Sequence, residues 1–206
     1  MNKLNLKVSE ERKMKEFCED YFEHLSALLK SLDLDQVVAF TKTLEEARQN
    51  GNTVFFIGNG GSAATASHMA SDFGANIHKG DESVAFLRAL SLTDNAAAMS
   101  AIANDTGYQN IFVNQLRMHY RPGDKLVAIS ASGNSPNIVL AAQWVKKQKG
   151  TVISLTGFDG GKLKEISDIT IHVGTQKGEY GPVEDIHMIM DHLIVTWFQQ
   201  KKFINI

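Results

Sequence analysis

Four groups of residues in this 206-residue chain have the types and spacing for chemistry. Ser130-Ala131-Ser132-Gly133-Asn134-Ser135 follows the apolar run Lys125-Leu126-Val127-Ala128-Ile129, and Pro136 then opens an apolar-periodic segment. Proline is preorganised for the first helical position, so hydroxyls and backbone N–H groups lie between a strand end and a helix start. Such N–H groups have no intrahelical partner, and the helix dipole favours negative charge there. Gly58-Asn59-Gly60-Gly61-Ser62 repeats this arrangement after Thr53-Val54-Phe55-Phe56-Ile57. Two such loops suit a phosphorylated small molecule. His68 and Asp72 stand one turn apart in the helix that follows, so they share a face. Glu184, Asp185, His187, Asp191 and His192 crowd a second helix. Glu184 and His192 differ by about 80° around its axis and can serve one site, with His187 or Asp191 flanking. Two histidines and two carboxylates suffice for a tetrahedral zinc site, or for general acid–base catalysis without metal.

The elements that must position these groups alternate along the chain. Apolar runs predict strands near 53–57, 84–89, 125–130, 151–155 and 168–173. Helical patterns fall near 62–74, 94–103, 108–120, 136–148 and 182–200. This alternation specifies an α/β fold, a five-stranded parallel sheet covered by helices on both faces. Ligands of such sheets bind beyond the carboxyl ends of the strands, where both loops lie. Ahead of the first strand, Phe17, Tyr21, Leu25, Leu28 and Leu29 form an apolar stripe, and Asp33 or Asp35 can cap a second helix toward Gly51. We therefore expect one domain over 1–206, with helices in 9–50 that bury their stripe in an oligomer.

Composition excludes several classes of function. A formal charge of −2, with basic residues only in short clusters such as Lys146-Lys147-Gln148-Lys149, argues against a nucleic-acid face. Met1 to Val8 is polar and does not read as a signal peptide, and no apolar run has the length of a membrane span. The lone Cys18 fits a reducing cytoplasm and reads as a buried structural thiol. His24, His78, His119 and His172 have no chemical company in sequence and read as structural or surface groups.

Gly58-Asn59-Gly60-Gly61-Ser62, Asn104-Asp105, Ser130 to Ser135 and Leu155-Thr156-Gly157-Phe158-Asp159-Gly160-Gly161 resemble the sugar isomerase (SIS) domain family. The resemblance is strongest to its bacterial phosphoheptose isomerase branch and spans essentially the whole chain. It implies a three-layer, flavodoxin-like sandwich assembled as a homotetramer with composite active sites. It also implies sugar-phosphate contacts from Asn59, Gly60, Gly61, Ser62, Asn104, Asp105, Ser130, Ala131, Ser132 and Ser135. The implied reaction isomerises sedoheptulose 7-phosphate to D-glycero-D-manno-heptose 7-phosphate through an enediol. Asp72, His192 and Glu184 would be the catalytic groups, and His68, Asp72, Glu184 and His192 would hold zinc. Three positions depart from the family pattern: Asp72 for a usual Glu, Glu184 for a usual Gln, and Ala131 for a frequent Thr. If Asp72 is a firm ligand, Glu184 becomes the stronger base. Isomerisation of another sugar phosphate and a non-catalytic adaptor role are the alternatives; assay with sedoheptulose 7-phosphate separates them.

Overall fold

The computed structural model describes residues 13–77 and 85–201. His78, residues 9–12 of the expected helical extension, and the polar segment before them lie outside the described residues. Two helices, α1 (Met14–Lys30) and α2 (Leu34–Gln49), lead the fold. Asp33 caps α2 by accepting the N–H groups of Asp35 and Gln36. Cys18 on α1 is half-buried rather than buried, because α1 packs at the periphery with Leu28 as its buried residue.

Five parallel strands follow in the order β2-β1-β3-β4-β5. They are β1 (Thr53–Ile57), β2 (Arg88–Ser91), β3 (Lys125–Ser130), β4 (Thr151–Phe158) and β5 (Ile169–Gly174). Between them run α3 (Gly61–Ser71), α4 (Ala96–Thr106), α5 (Ile111–His119), α6 (Pro136–Lys147) and α7 (Gly161–Ile166); α8 (Tyr180–Lys201) follows the sheet. Successive strand side chains point to opposite faces, and both faces are apolar. Val54, Phe56, Val127 and Ile129 pack with Phe40 and Leu44 of α2, Met69 of α3, and Ile186 and Ile194 of α8. Phe55, Ile57, Leu126 and Ala128 pack on the other side with Phe112 and Leu116 of α5 and Ile138 of α6. The expected three-layer sandwich is therefore present.

Several boundaries differ from expectation for local reasons. Of the strand expected over 84–89, residue 84 lies outside the described residues, and the ladder to β1 begins at Arg88. The run's apolar Phe86 is 62% exposed. The helix expected over 62–74 changes character at Asp72, where a π-helical turn covers Asp72–Asn76. Such wide turns occur most often at functional sites. α7 was absent from the sequence reading; it is six residues long and borrows its first-turn acceptors, Asn134 Oδ1 for Lys162 N and Asp159 Oδ1 for Gly161 N. β4 also continues to Phe158, and Gly157 lets α8 approach it closely: a Cβ there would stand 2.6 Å from Val183 methyls.

Candidate active site

β1 and β3 are neighbours, but their onward connections leave toward opposite edges of the sheet. The crevice above such a switch point is where open α/β sheets bind ligands. The two polar loops meet there around a cavity of about 150 Å³. Ser130, Ser132 and Ser135 line it from the second loop, Asn59 and Ser62 from the first, and Tyr180 and Glu184 roof it from α8. Ser135 is the residue before α6, yet its side chain makes no capping bond; its hydroxyl stands 3.4 Å from that of Ser130. The α6 N-terminus and two hydroxyls are thus turned to the cavity rather than spent on the helix. Ser130 and Ser132 also accept the N–H groups of Gly133 and Asn134, at 3.2 and 3.3 Å, which fixes the loop's curvature.

The remaining sequence-selected positions distribute as follows. Gly60 precedes α3 and Gly61 begins it, and Ala131 is buried at the cavity wall. A side chain on Gly61 would collide with the Glu184 carboxylate, so this glycine makes room for that acid. Asn104 and Asp105 lie at the end of α4, hydrogen-bonded to each other, and do not line the cavity.

Further along α8 the charged groups gather. Atoms of His68, Asp72, Asp191 and His192 all lie within 4.8 Å of one another. His68 Nε2 stands 3.2 Å from His192 Nε2 and 3.5 Å from one oxygen each of Asp72 and Asp191. Glu184, expected in this quartet, does not join it; Asp191, expected only as a flanking residue, takes its place. The seven-residue step from 184 to 191 is about 10 Å along the helix, which separates the two acids. Asp191 is fully buried, and both its carboxylate oxygens lack a hydrogen-bond partner. Burial, and next the charge of Asp72, push its pKa up to about 7 against the pull of His68. A buried acid without partners is costly unless a cation meets it. Zinc bonds of about 2.0–2.1 Å in a tetrahedron set ligand atoms about 3.3–3.4 Å apart. The measured 3.2 and 3.5 Å match that spacing, and two carboxylates with two neutral imidazoles balance a divalent charge. The residues present therefore fit the ion. Sequence reasoning could have found Asp191 as a carboxylate one turn from Ile194 and Val195 and beside Met190, among side chains that bury against the sheet.

Burial, then Asp185, raises the Glu184 pKa, which suits a carboxylate meant to exchange protons. Between Glu184 and Asp191, on the same helix face, His187 is fully buried, and its Nε2 lies 3.4 Å from the Thr156 carbonyl oxygen. Burial above all lowers its pKa to about 4, so it stays neutral. Tyr21 on α1 donates to Asp185, and His24 Nε2 stands 3.7 Å from buried Glu179. These contacts tie α1 to the start of α8 above the cavity.

The SIS domain model matches residues 20–157. The phosphoheptose isomerase of Rhodospirillum rubrum is 40% identical over 145 residues, 70% of this chain and 74% of that protein. That of Leptospira biflexa is 32% identical over 185 residues, 90% and 93% of the two chains. The structure of phosphoheptose isomerase from Neisseria gonorrhoeae superposes with a TM-score of 0.80 at 27% identity, over 91% of this chain and all of the other. The Francisella tularensis enzyme gives 0.80 at 25% identity, over 92% of this chain and all of the other.

Proposed function

The chain belongs to the SIS-domain family, among the phosphoheptose isomerases, and from that premise we propose that it interconverts sedoheptulose 7-phosphate and D-glycero-D-manno-heptose 7-phosphate. The observation that carries the assignment is the order along α8. A hydroxyl-rich cavity stands at its start, a half-buried carboxylate at the cavity roof, and a His/Asp cluster about two turns beyond.

In this reading the phosphate end occupies the cradle of Ser130, Ser132 and Ser135 with the α6 N-terminus, which supplies binding and orientation. Ser62, Asn59 and Ala131 complete the wall, and Gly60 and Gly61 lead into α3 beside it. Glu184 is the base: as a carboxylate it removes the C1 proton of the open-chain ketose and returns a proton at C2. Asp72 is committed to the cluster, since one of its oxygens accepts the Asn76 amide at 2.8 Å and the other faces His68. His68, Asp72, Asp191 and His192 would hold zinc, which when bound polarises the carbonyl and the developing enediolate. His192, exposed on the cluster's outer side, orients the substrate oxygens.

The test is turnover of sedoheptulose 7-phosphate by the purified protein with metal content measured in parallel. Isomerisation with about one zinc per chain supports the assignment; no turnover of that sugar by zinc-loaded protein overturns it. A cytoplasmic homotetramer with sites shared between copies completes the proposal. Exposed Phe22, Leu34, Val38, Leu193 and Trp197 support association. A groove of about 500 Å³ between α2 and α8 supports it too. Among the described residues no helix is long and apolar enough to cross a membrane. Light scattering that reports a monomer at micromolar concentration would remove the tetramer.

A further inference from the structure

One bond network at the cradle does more than hold two loops together. The Asn137 side chain, only 2% exposed, accepts the Ile138 backbone N–H at 3.0 Å through Oδ1. A backbone N–H can only donate, so it fixes which end of the Asn137 amide is oxygen. The Asn137 amino group must then face Asn59, and it donates to Asn59 Oδ1 at 2.8 Å. Asn59 Nδ2 returns a bond to Asn137 Oδ1 at 2.9 Å. Tyr108, on the turn Tyr108–Asn110 and 55% exposed, donates its hydroxyl to the same Asn59 Oδ1 at 3.1 Å.

An amide oxygen has two lone pairs and an amide nitrogen two hydrogens. Both lone pairs of Asn59 are taken, by Asn137 and Tyr108, and one of its two hydrogens is taken as well. What Asn59 can still offer the cavity it lines is a single N–H. Among the described residues no Lys or Arg lines that cavity, so an anion there draws on neutral donors. We propose that Asn137 and Tyr108 are positioning residues that hold Asn59 as an obligate hydrogen-bond donor to a phosphate oxygen. The inference rests on the reading that the cradle takes the phosphate end of the substrate. It makes Tyr108, outside both loops, a determinant of selection for phosphorylated sugars.

The probe is inorganic phosphate, titrated calorimetrically into the intact zinc-loaded protein. Tyr108→Phe uncovers one Asn59 lone pair beside the cavity, where it opposes an anion, so phosphate affinity falls about three- to fivefold, the scale of one hydrogen bond. Asn59→Asp replaces the donor with an oxygen facing the anion, and affinity falls more than about tenfold. On the Asn59→Asp background Tyr108→Phe costs nothing further, because there is no donor left to orient. In turnover, Tyr108→Phe raises KM while kcat changes less than about twofold, with the melting temperature unchanged. Unaltered phosphate affinity in Tyr108→Phe, or the same loss on both backgrounds, overturns the proposal. Because the Tyr108 ring is exposed, that variant decides the matter even if Asn59→Asp does not fold. A phosphate effect in a protein that does not isomerise sedoheptulose 7-phosphate overturns the isomerase assignment and leaves this inference standing.

Discussion

The cradle and the cluster stand at two points on one face of α8, and they offer opposite chemistry to a ligand. The cradle uses hydroxyls, a helix start that Ser135 does not cap and one amide N–H, with Glu184 as its single charged wall among the described residues. The cluster concentrates two carboxylates and two imidazoles, with Asp191 buried and accepting no hydrogen bond. An anion and a cation are thus accommodated by a weak field of many dipoles and a strong field of a few charges. Glu184 lies between the two regimes, close enough to the cradle to feel desolvation but about 10 Å along the helix from the Asp191 turn. In the proposed reading the division lets the cradle take the phosphate without a cation among its described lining residues, whose field would bias the pKa of Glu184.

Separating the two regions by substitution gives four expectations. Glu184→Gln should lower kcat about a thousandfold, within the range of general-base catalysis, while zinc content stays at wild-type level. If zinc is lost with it, the acid belongs to the cluster after all. In the native protein the raised Glu184 pKa sets the acid limb of kcat/KM. Activity should decline as pH falls through a value above that of an ordinary glutamate, because the base becomes protonated.

Asp191→Asn should weaken zinc binding by about a hundredfold, read by competition with a chromogenic chelator, and leave phosphate affinity alone. The same substitution should raise the melting temperature of the metal-free protein, since it removes a buried carboxylate that accepts no hydrogen bond and faces the charge of Asp72.

His187, between the two regions, should reveal itself in urea titrations across pH. Its folded pKa of about 4 lies below the unfolded value near 6.5, so the unfolded chain binds the extra proton. Stability is complete above pH 6.5 and should fall by about 3 kcal/mol on the way to pH 4, a loss absent from His187→Gln.

Ser135→Ala should have the smallest effect, a rise in KM of about fivefold with zinc content unchanged. A larger effect on kcat than on KM would show that the cradle takes part in the proton chemistry.

The same contrast explains what could be read from residues alone. Each cradle loop is contiguous and sits between an apolar run and a helix start, so Ser130 to Ser135 and Gly58 to Ser62 announce their geometry locally. Alternating apolar runs likewise located β1, β3 and the start of β4. The cluster draws on α3, the π-helical turn and α8, and its members meet only through tertiary packing. Helical spacing could place Glu184 and His192 on neighbouring faces. It could not show that the Glu184 side chain turns to Gly61 while Asp191 turns to His68. α7 was missed for a related reason, because part of its cap comes from Asn134 in another loop. β2 was misjudged because an edge strand needs fewer buried residues, and its burial depends on a single ladder to β1.

The pairing of His68 with His192 spans 124 positions, and α8 follows every strand of the sheet. Domains fold as units, and here Val183, Ile186, Met190 and Ile194 of α8 close one face of the sheet. The sheet therefore waits for the last helix, and the residues that complete the core arrive on the same segment as Glu184, Asp191 and His192.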